Sequence, residues 1–180
     1  MAEKEKIIVR RLDAGDDRSG FRSGNIDLDR FFERFAGQNQ FRHHIGTSYV
    51  ADANGRIAGY VTVAPGELMG DTVSKATQKK LPSYPVPILR IARLAVDNRF
   101  QGFGIGKLLL RAMFELAVDL REKTGCTGVV IDAKHEAVSF YEPFGFQKLD
   151  IITGSLGDRP EPVPMFLPIS TIAKACQENR

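Results

Sequence analysis

The stretch "RFQGFGIGKLLLRAMFELA" (residues 99–117) sets glycines at 102, 104 and 106 directly against a long run of strong helix formers. Glycine weakens regular structure, so three of them in alternation mark a place where something must approach the backbone closely. A glycine-rich turn that feeds a helix also exposes backbone N–H groups beside the positive end of the helix dipole, and such a site grips phosphate. Behind the turn, Ile105, Leu108, Leu109, Ala112, Met113, Leu116 and Leu120 form an apolar stripe suited to holding the helix on a sheet. Two familiar phosphate loops do not fit. A Walker loop needs glycine at 101 and Ser or Thr at 108, where the chain has Gln101 and Leu108; a dinucleotide fingerprint needs its third glycine at 107, where Lys107 stands.

Working outward, "VPILRIARLAVD" (86–97) has the β-branched and aliphatic pattern of a central strand, and it ends just before the glycines. Further strands are expected at "KIIVRRL" (6–12), "TGVVIDA" (127–133) and "PMFLPI" (164–169). Runs at 48–51 and 57–63 flank Asn54-Gly55, a strong hairpin signal. Residues 24–40 read as an amphipathic helix capped by Asn25, with Ile26, Leu28, Phe31, Phe32 and Phe35 on its apolar face. A short helix is expected around 74–81, and another in "HEAVSFYEPFGF" (135–146), ending at Gly145; "TGSLGDRPEPVP" (153–164) joins the final two strands. The alternation gives an α/β fold: one domain over residues 6–170, with a mixed central sheet of six to seven strands flanked by helices. Residues 1–5 read as a flexible N-terminus and 171–180 as a C-terminal tail without an evident role.

A chain of 180 residues, 43% of them hydrophobic, fits a single core. Its 25 basic against 22 acidic residues leave a net charge of +3, which permits an anionic partner without demanding one. Cys126 and Cys176 do not make a disulfide framework, and His43, His44 and His135 lack zinc-site spacing, so no metal is expected. With no leader pattern and no apolar run near the ~20 residues a membrane helix needs, the expectation is a soluble cytoplasmic protein.

The run Gln101-Gly102-Phe103-Gly104-Ile105-Gly106 matches a Q/R-x-x-G-x-G/A pattern and resembles the pyrophosphate loop of the GCN5-related N-acetyltransferases. The resemblance implies acetyl-CoA as co-substrate, with Gln101 through Gly106 and Lys107 at its pyrophosphate and Leu94 and Val96 beside its pantetheine arm. It also implies a contact from Ser139, at a position where many members carry Asn, and a catalytic Tyr141. "IARLAVD" (91–97), "KKLPSYPVP" (79–87) and "AVSFYEPFGF" (137–146) are most similar to the acetyltransferase toxins of bacterial toxin-antitoxin pairs. That similarity implies acetylation of the α-amine of aminoacyl-tRNA, a ribbon-helix-helix antitoxin as partner, and a homodimer. The alternatives are an N-acetyltransferase for a small-molecule or protein amine, and a sensor that only binds acyl-CoA. The intact loop and Tyr141 speak against the sensor.

A phenol of ordinary pKa near 10 is protonated at neutral pH and can donate to a departing thiolate, whereas an α-amine near 7.7–8.0 is already partly neutral and needs no strong base. From its position alone Tyr141 reads better as a core aromatic beside Phe140, Phe144 and Phe146, and only the motif reverses that. For tRNA, the candidates are Arg90, Arg93, Lys79, Lys80 and Arg99, with Lys75 and Lys134 in support. Each of these reads singly as an ordinary solvated charge.

Overall fold

The computed structural model describes residues 6–149 and 162–178. Residues 1–5, most of the 153–164 connection and the last two residues lie outside them. Among the described residues seven strands are found: β1 (Ile7–Arg11), β2 (Thr47–Ala53), β3 (Arg56–Leu68), β4 (Val86–Val96), β5 (Gly128–Ala133), β6 (Gln147–Lys148) and β7 (Val163–Pro168). They form one mixed sheet in the order β1-β2-β3-β4-β5-β7-β6. The β1/β2, β2/β3, β5/β7 and β6/β7 pairs are antiparallel, and β4/β5 is parallel with Leu89 opposite Val129. A parallel pair needs a crossover connection, and here it contains the glycine loop and the long helix. The chain divides into two compact units, one running to Ala64 and including Ala92–Met113, the other comprising Pro65–Ile91 and the residues from Phe114 on.

In the first unit the leading helix, α1, spans residues 26–43 in four stretches: α-helical Ile26–Arg30, π-helical Phe31–Phe35, α-helical Ala36–Gln38 and π-helical Asn39–His43. Asn25 caps it as expected, its Oδ1 accepting from the N–H groups of Asp27 and Leu28, each at 3.1 Å. The inward residues Leu28, Phe32, Ala36 and Gln40 recur every fourth position. At 3.6 residues per turn a step of four overshoots by about 40°, so three steps would carry the stripe about 120° off the core. The wider π-turns absorb that overshoot. Phe35, assigned from the sequence to the apolar face, falls off that line and is 45% exposed; Ile26, 75% exposed, lies ahead of the first π-turn and about 200° around the helix from Leu28, while Phe31 and Phe32 are buried. Tyr60 stacks on Phe32 with centroids 4.2 Å apart, and its hydroxyl donates to the Leu28 carbonyl at 2.8 Å.

The Asn54-Gly55 turn joins β2 to β3, and β3 continues through Pro65 to Leu68, well past the residues the pattern marks. At Gly59 a β-carbon would lie 2.9 Å from both the Ala95 carbonyl oxygen and Ile105 Cγ2. Only glycine lets the sheet and the start of the long helix come this close.

In the second unit, α2 (Lys75–Gln78) is shorter than expected, and Leu68, Val73, Val86, Ile88, Val130 and Phe166 form the core. The long helix, α3 (Ile105–Lys123), begins in the first unit and ends in this one; its buried apolar residues are Ile105, Leu109, Leu110, Met113, Phe114 and Ala117, while Leu108, Ala112, Leu116 and Leu120 are only half-buried. The 135–146 segment is a helix of one turn, α4 (Val138–Tyr141), between 3-10 turns, and it closes at Gly145 with φ 96°. The segment after β7, read from the sequence as a C-terminal tail, forms helix α5 (Ile169–Glu178), with Ile172 buried. Among the described residues no helix is long and apolar enough to cross a membrane.

Candidate active site

Strand β4 ends in Asp97, whose side chain organises the approach to the glycines. Only 1% exposed, it accepts from the Arg22 N–H at 3.1 Å, the Arg99 N–H at 3.0 Å and Arg99 Nε at 2.9 Å. Burial opposes its charge, but these hydrogen bonds outweigh it and hold the carboxyl below the usual carboxylate range. Gln101 then clamps the turn: Nε2 lies within donating distance of the Ser23 carbonyl (3.0 Å), the Val96 carbonyl (3.2 Å) and Asn98 Oδ1 (3.1 Å). Its side chain is therefore folded back on the protein.

Gly102 and Gly104 have φ of 82° and 80°, and a β-carbon at either would meet nothing within 4 Å. Backbone conformation, not crowding, is what requires glycine at these two positions, and left-handed residues alternating with others turn successive N–H groups into one anion-binding hollow. Gly106 has no positive φ and lies in the first turn of α3. The Leu108 N–H bonds to the Gly104 carbonyl at 3.0 Å. The N–H groups of residues 105–107, one turn earlier, therefore have no helical acceptor and face out of the helix end. Phe103 is 77% exposed at the tip of the loop, Lys107 is exposed, and Leu94 and Val96 are half-buried at the end of β4. All these residues belong to the first unit. Hollow, helix N-terminus and open space together fit a pyrophosphate.

Tyr141 and Ser139 belong to the second unit, on α4, with Ser139 exposed and Tyr141 5% exposed. The Tyr141 ring packs edge-on against Phe140 and Phe146, at 5.0 and 5.7 Å. Burial raises its phenol well above the ordinary value, so it keeps its proton at neutral pH. Its hydroxyl has no hydrogen-bond partner among the described residues, and no fully enclosed side-chain oxygen or nitrogen there is left unpaired. The Tyr141 hydroxyl therefore reaches the surface, in contrast to that of Tyr60, which is tied to a carbonyl.

The basic residues singled out in the sequence fall in both units. In the first unit Arg99 is paired with Asp97, and the Arg93 guanidinium sits 3.7 Å from the centroid of Phe31. In the second, Arg90 is paired with Asp132 at 2.8 Å, and Lys79 and Lys80 are exposed. Sequence reasoning did not single out Asp97 or Ser23, which receives Gln101 and itself donates to Asp29 through N–H and Oγ. The available signals were an aspartate ending a strand and a Ser-Gly-Asn run before a helix. An open groove of about 250 Å³, lined by Arg22, Ile26, Asp29, Arg30, Glu33 and Arg34, lies over the start of α1.

A mixed sheet with a parallel central pair and a phosphate-type loop at their crossover defines the class as an α/β fold with a loop suited to a phosphorylated ligand. The family model described as "Acetyltransferase (GNAT) domain" matches residues 44–148, and the chain belongs to this family of acetyltransferases. It is similar to a "tRNA-acetylating toxin" of Mycobacterium tuberculosis, 33% identical over 141 residues, covering 77% of this chain and 82% of that one. It is also similar to "Probable toxin TacT" of Sinorhizobium fredii, 24% identical, with 93% of each chain covered. Among solved structures, "AtaT complexed with acetyl-methionyl-tRNAfMet" superposes with a TM-score of 0.81 at 24% identity, covering 95% of this chain and 99% of that one, which shows the shared fold.

Proposed function

We propose that this acetyltransferase takes the acetyl group of acetyl-CoA and places it on the α-amine of the amino acid carried by charged tRNA, acting as a toxin that blocks translation and is neutralised by an antitoxin. The observation that carries the reading is the 33% identity to the tRNA-acetylating toxin over most of both chains. When bound, acetyl-CoA would supply an acetyl thioester open to attack by an amine. The N–H groups from Gln101 to Gly106, at the head of α3, would hold its pyrophosphate, and the Gln101 and Asp97 side chains keep that loop in shape. Leu94 and Val96 offer the strand edge to its pantetheine arm, with Ser139 and Lys107 as further contacts. Tyr141 keeps a proton on Oη at neutral pH and can deliver it to a leaving thiolate. An α-amine with pKa near 7.7–8.0 is sufficiently neutral to attack without a dedicated base.

The test is radiolabelled acetyl transfer to aminoacyl-tRNA beside a panel of free amines. Transfer to charged tRNA is expected. Turnover of a free amine with no transfer to charged tRNA would refute the toxin reading and leave a small-amine acetyltransferase.

A further inference from the structure

The arginines of the first unit divide by their partners. Arg10 is held by Asp16 and Asp52 at 2.8 and 2.9 Å, and Arg99 by Asp97. The Arg22 side chain donates only to the carbonyls of Ser19 and Phe21, and Arg30, Arg34 and Arg42 have no ion pair or side-chain hydrogen bond among the described residues. These last three are not scattered. The π-turns that keep the inward residues of α1 in line at steps of four do the same for the outward row Ile26, Arg30, Arg34, Gln38 and Arg42, all exposed. On an ordinary α-helix this row would wind around the axis; here it forms a straight stripe. Arg30 to Arg42 spans at most about 18 Å, the length at the α-helical rise, which the wider π-turns shorten, and over that length one strand of a nucleic acid duplex presents up to about five phosphates.

The acids of the same helix do not cancel the stripe. Asp29 is buried and receives two hydrogen bonds from Ser23, while Asp27 and Glu33 are exposed on other rows. Phe35 and Phe41, 45% and 39% exposed, stand next to Arg34 and Arg42 in the chain and offer ring faces on which unstacked bases can rest. The head of the stripe is pinned to the segment that leads into the glycine loop. Arg22 receives the Asn98 N–H at 2.7 Å and gives its own to Asp97, and Ser23 receives Gln101.

We infer that Arg30, Arg34 and Arg42, with Arg22 at their head, form the surface on which the phosphate backbone of the RNA acceptor docks, its charged end directed toward the glycine loop. This rests on the reading of charged tRNA as acceptor. Guanidinium forks match phosphate oxygens, and unpaired arginines in register make a charge row that a polyanion complements.

The experiment compares wild type with a triple Arg30→Ala, Arg34→Ala, Arg42→Ala variant and with Glu33→Gln, all at exposed positions. Binding of charged tRNA is followed from low to physiological salt, and acetyl transfer to charged tRNA and to a small aminoacyl-nucleoside is timed in parallel. The triple variant is expected to lose about three from the slope of log K against log salt and to raise KM for charged tRNA, with transfer to the nucleoside unchanged. Glu33→Gln is expected to tighten RNA binding. An unchanged slope in the triple variant overturns the docking surface while leaving the acceptor assignment intact; an unchanged slope with lost binding of an acidic polypeptide reassigns the stripe to a protein partner. Wild type that acetylates the nucleoside and ignores charged tRNA overturns the acceptor reading itself.

Discussion

Two pairs of residues show how local conformation separates function from packing. Gly102 and Gly104 share a positive φ with open space around them, so any β-carbon there strains the backbone of the phosphate hollow without disturbing a core. Gly104→Val is therefore expected to stay folded and lose acetyl-CoA binding by calorimetry; undiminished binding would remove the loop from the account. Tyr60 and Tyr141 are both buried tyrosines with raised phenols, but one hydroxyl is spent on a carbonyl and the other is not. Tyr141→Phe keeps the ring contacts with Phe140 and Phe146, so affinity for acetyl-CoA is expected to hold while turnover falls by about 10² to 10⁴. A wild-type rate would make Tyr141 a packing residue. The glycines were legible in the sequence because φ preference is a property of the residue itself. Tyr141 was legible only through its motif, since aromatic neighbours at helical spacing look the same whether a hydroxyl is free or bound.

Elements were read well where a local rule decides them. The cap at Asn25, the Asn54-Gly55 hairpin and the strand before the glycines all follow from short-range chemistry. Helix α1 was misread at Phe35 because a face drawn at 3.6 residues per turn cannot show π-turns, which are imposed by packing Phe32, Ala36 and Gln40 in one line, whereas Ile26 already stands about 200° from Leu28 at the α-helical period. The helix after β7 was missed for a similar reason: its single buried anchor, Ile172, gives too short an apolar pattern to register. The turn between β4 and α3 depends on Asp97 in a way no pattern reveals. Its folded carboxyl lies below the ordinary value of about 3.9, so its contribution is fully present above that value and is lost as pH falls through the folded one. In Asp97→Asn an amide nitrogen faces the N–H groups of Arg22 and Arg99, at a cost of about 1–3 kcal/mol near neutrality. Urea unfolding at a series of pH values should show the gap from wild type narrowing as the solution is acidified. A gap of constant size would show that ionisation of Asp97 contributes nothing.

At the scale of the whole chain, the seven-stranded mixed sheet agrees with the element order read from the sequence, and membership of the acetyltransferase family agrees with the loop motif. The acceptor was less legible, because a net charge of +3 says little about where charge is free. Pairing decides that: Arg90 and Arg99, attractive by position, are committed to Asp132 and Asp97, while the unpaired arginines of α1 drew no attention from their spacing. The most direct measurement of the central claim is mass spectrometry of charged tRNA incubated with acetyl-CoA and the protein, then digested to its terminal aminoacyl-nucleoside. The expected result is a single added acetyl group on the amino-acid nitrogen, absent with Gly104→Val and strongly reduced with Tyr141→Phe. An unmodified aminoacyl-nucleoside from a protein that turns over acetyl-CoA on another amine would contradict the claim.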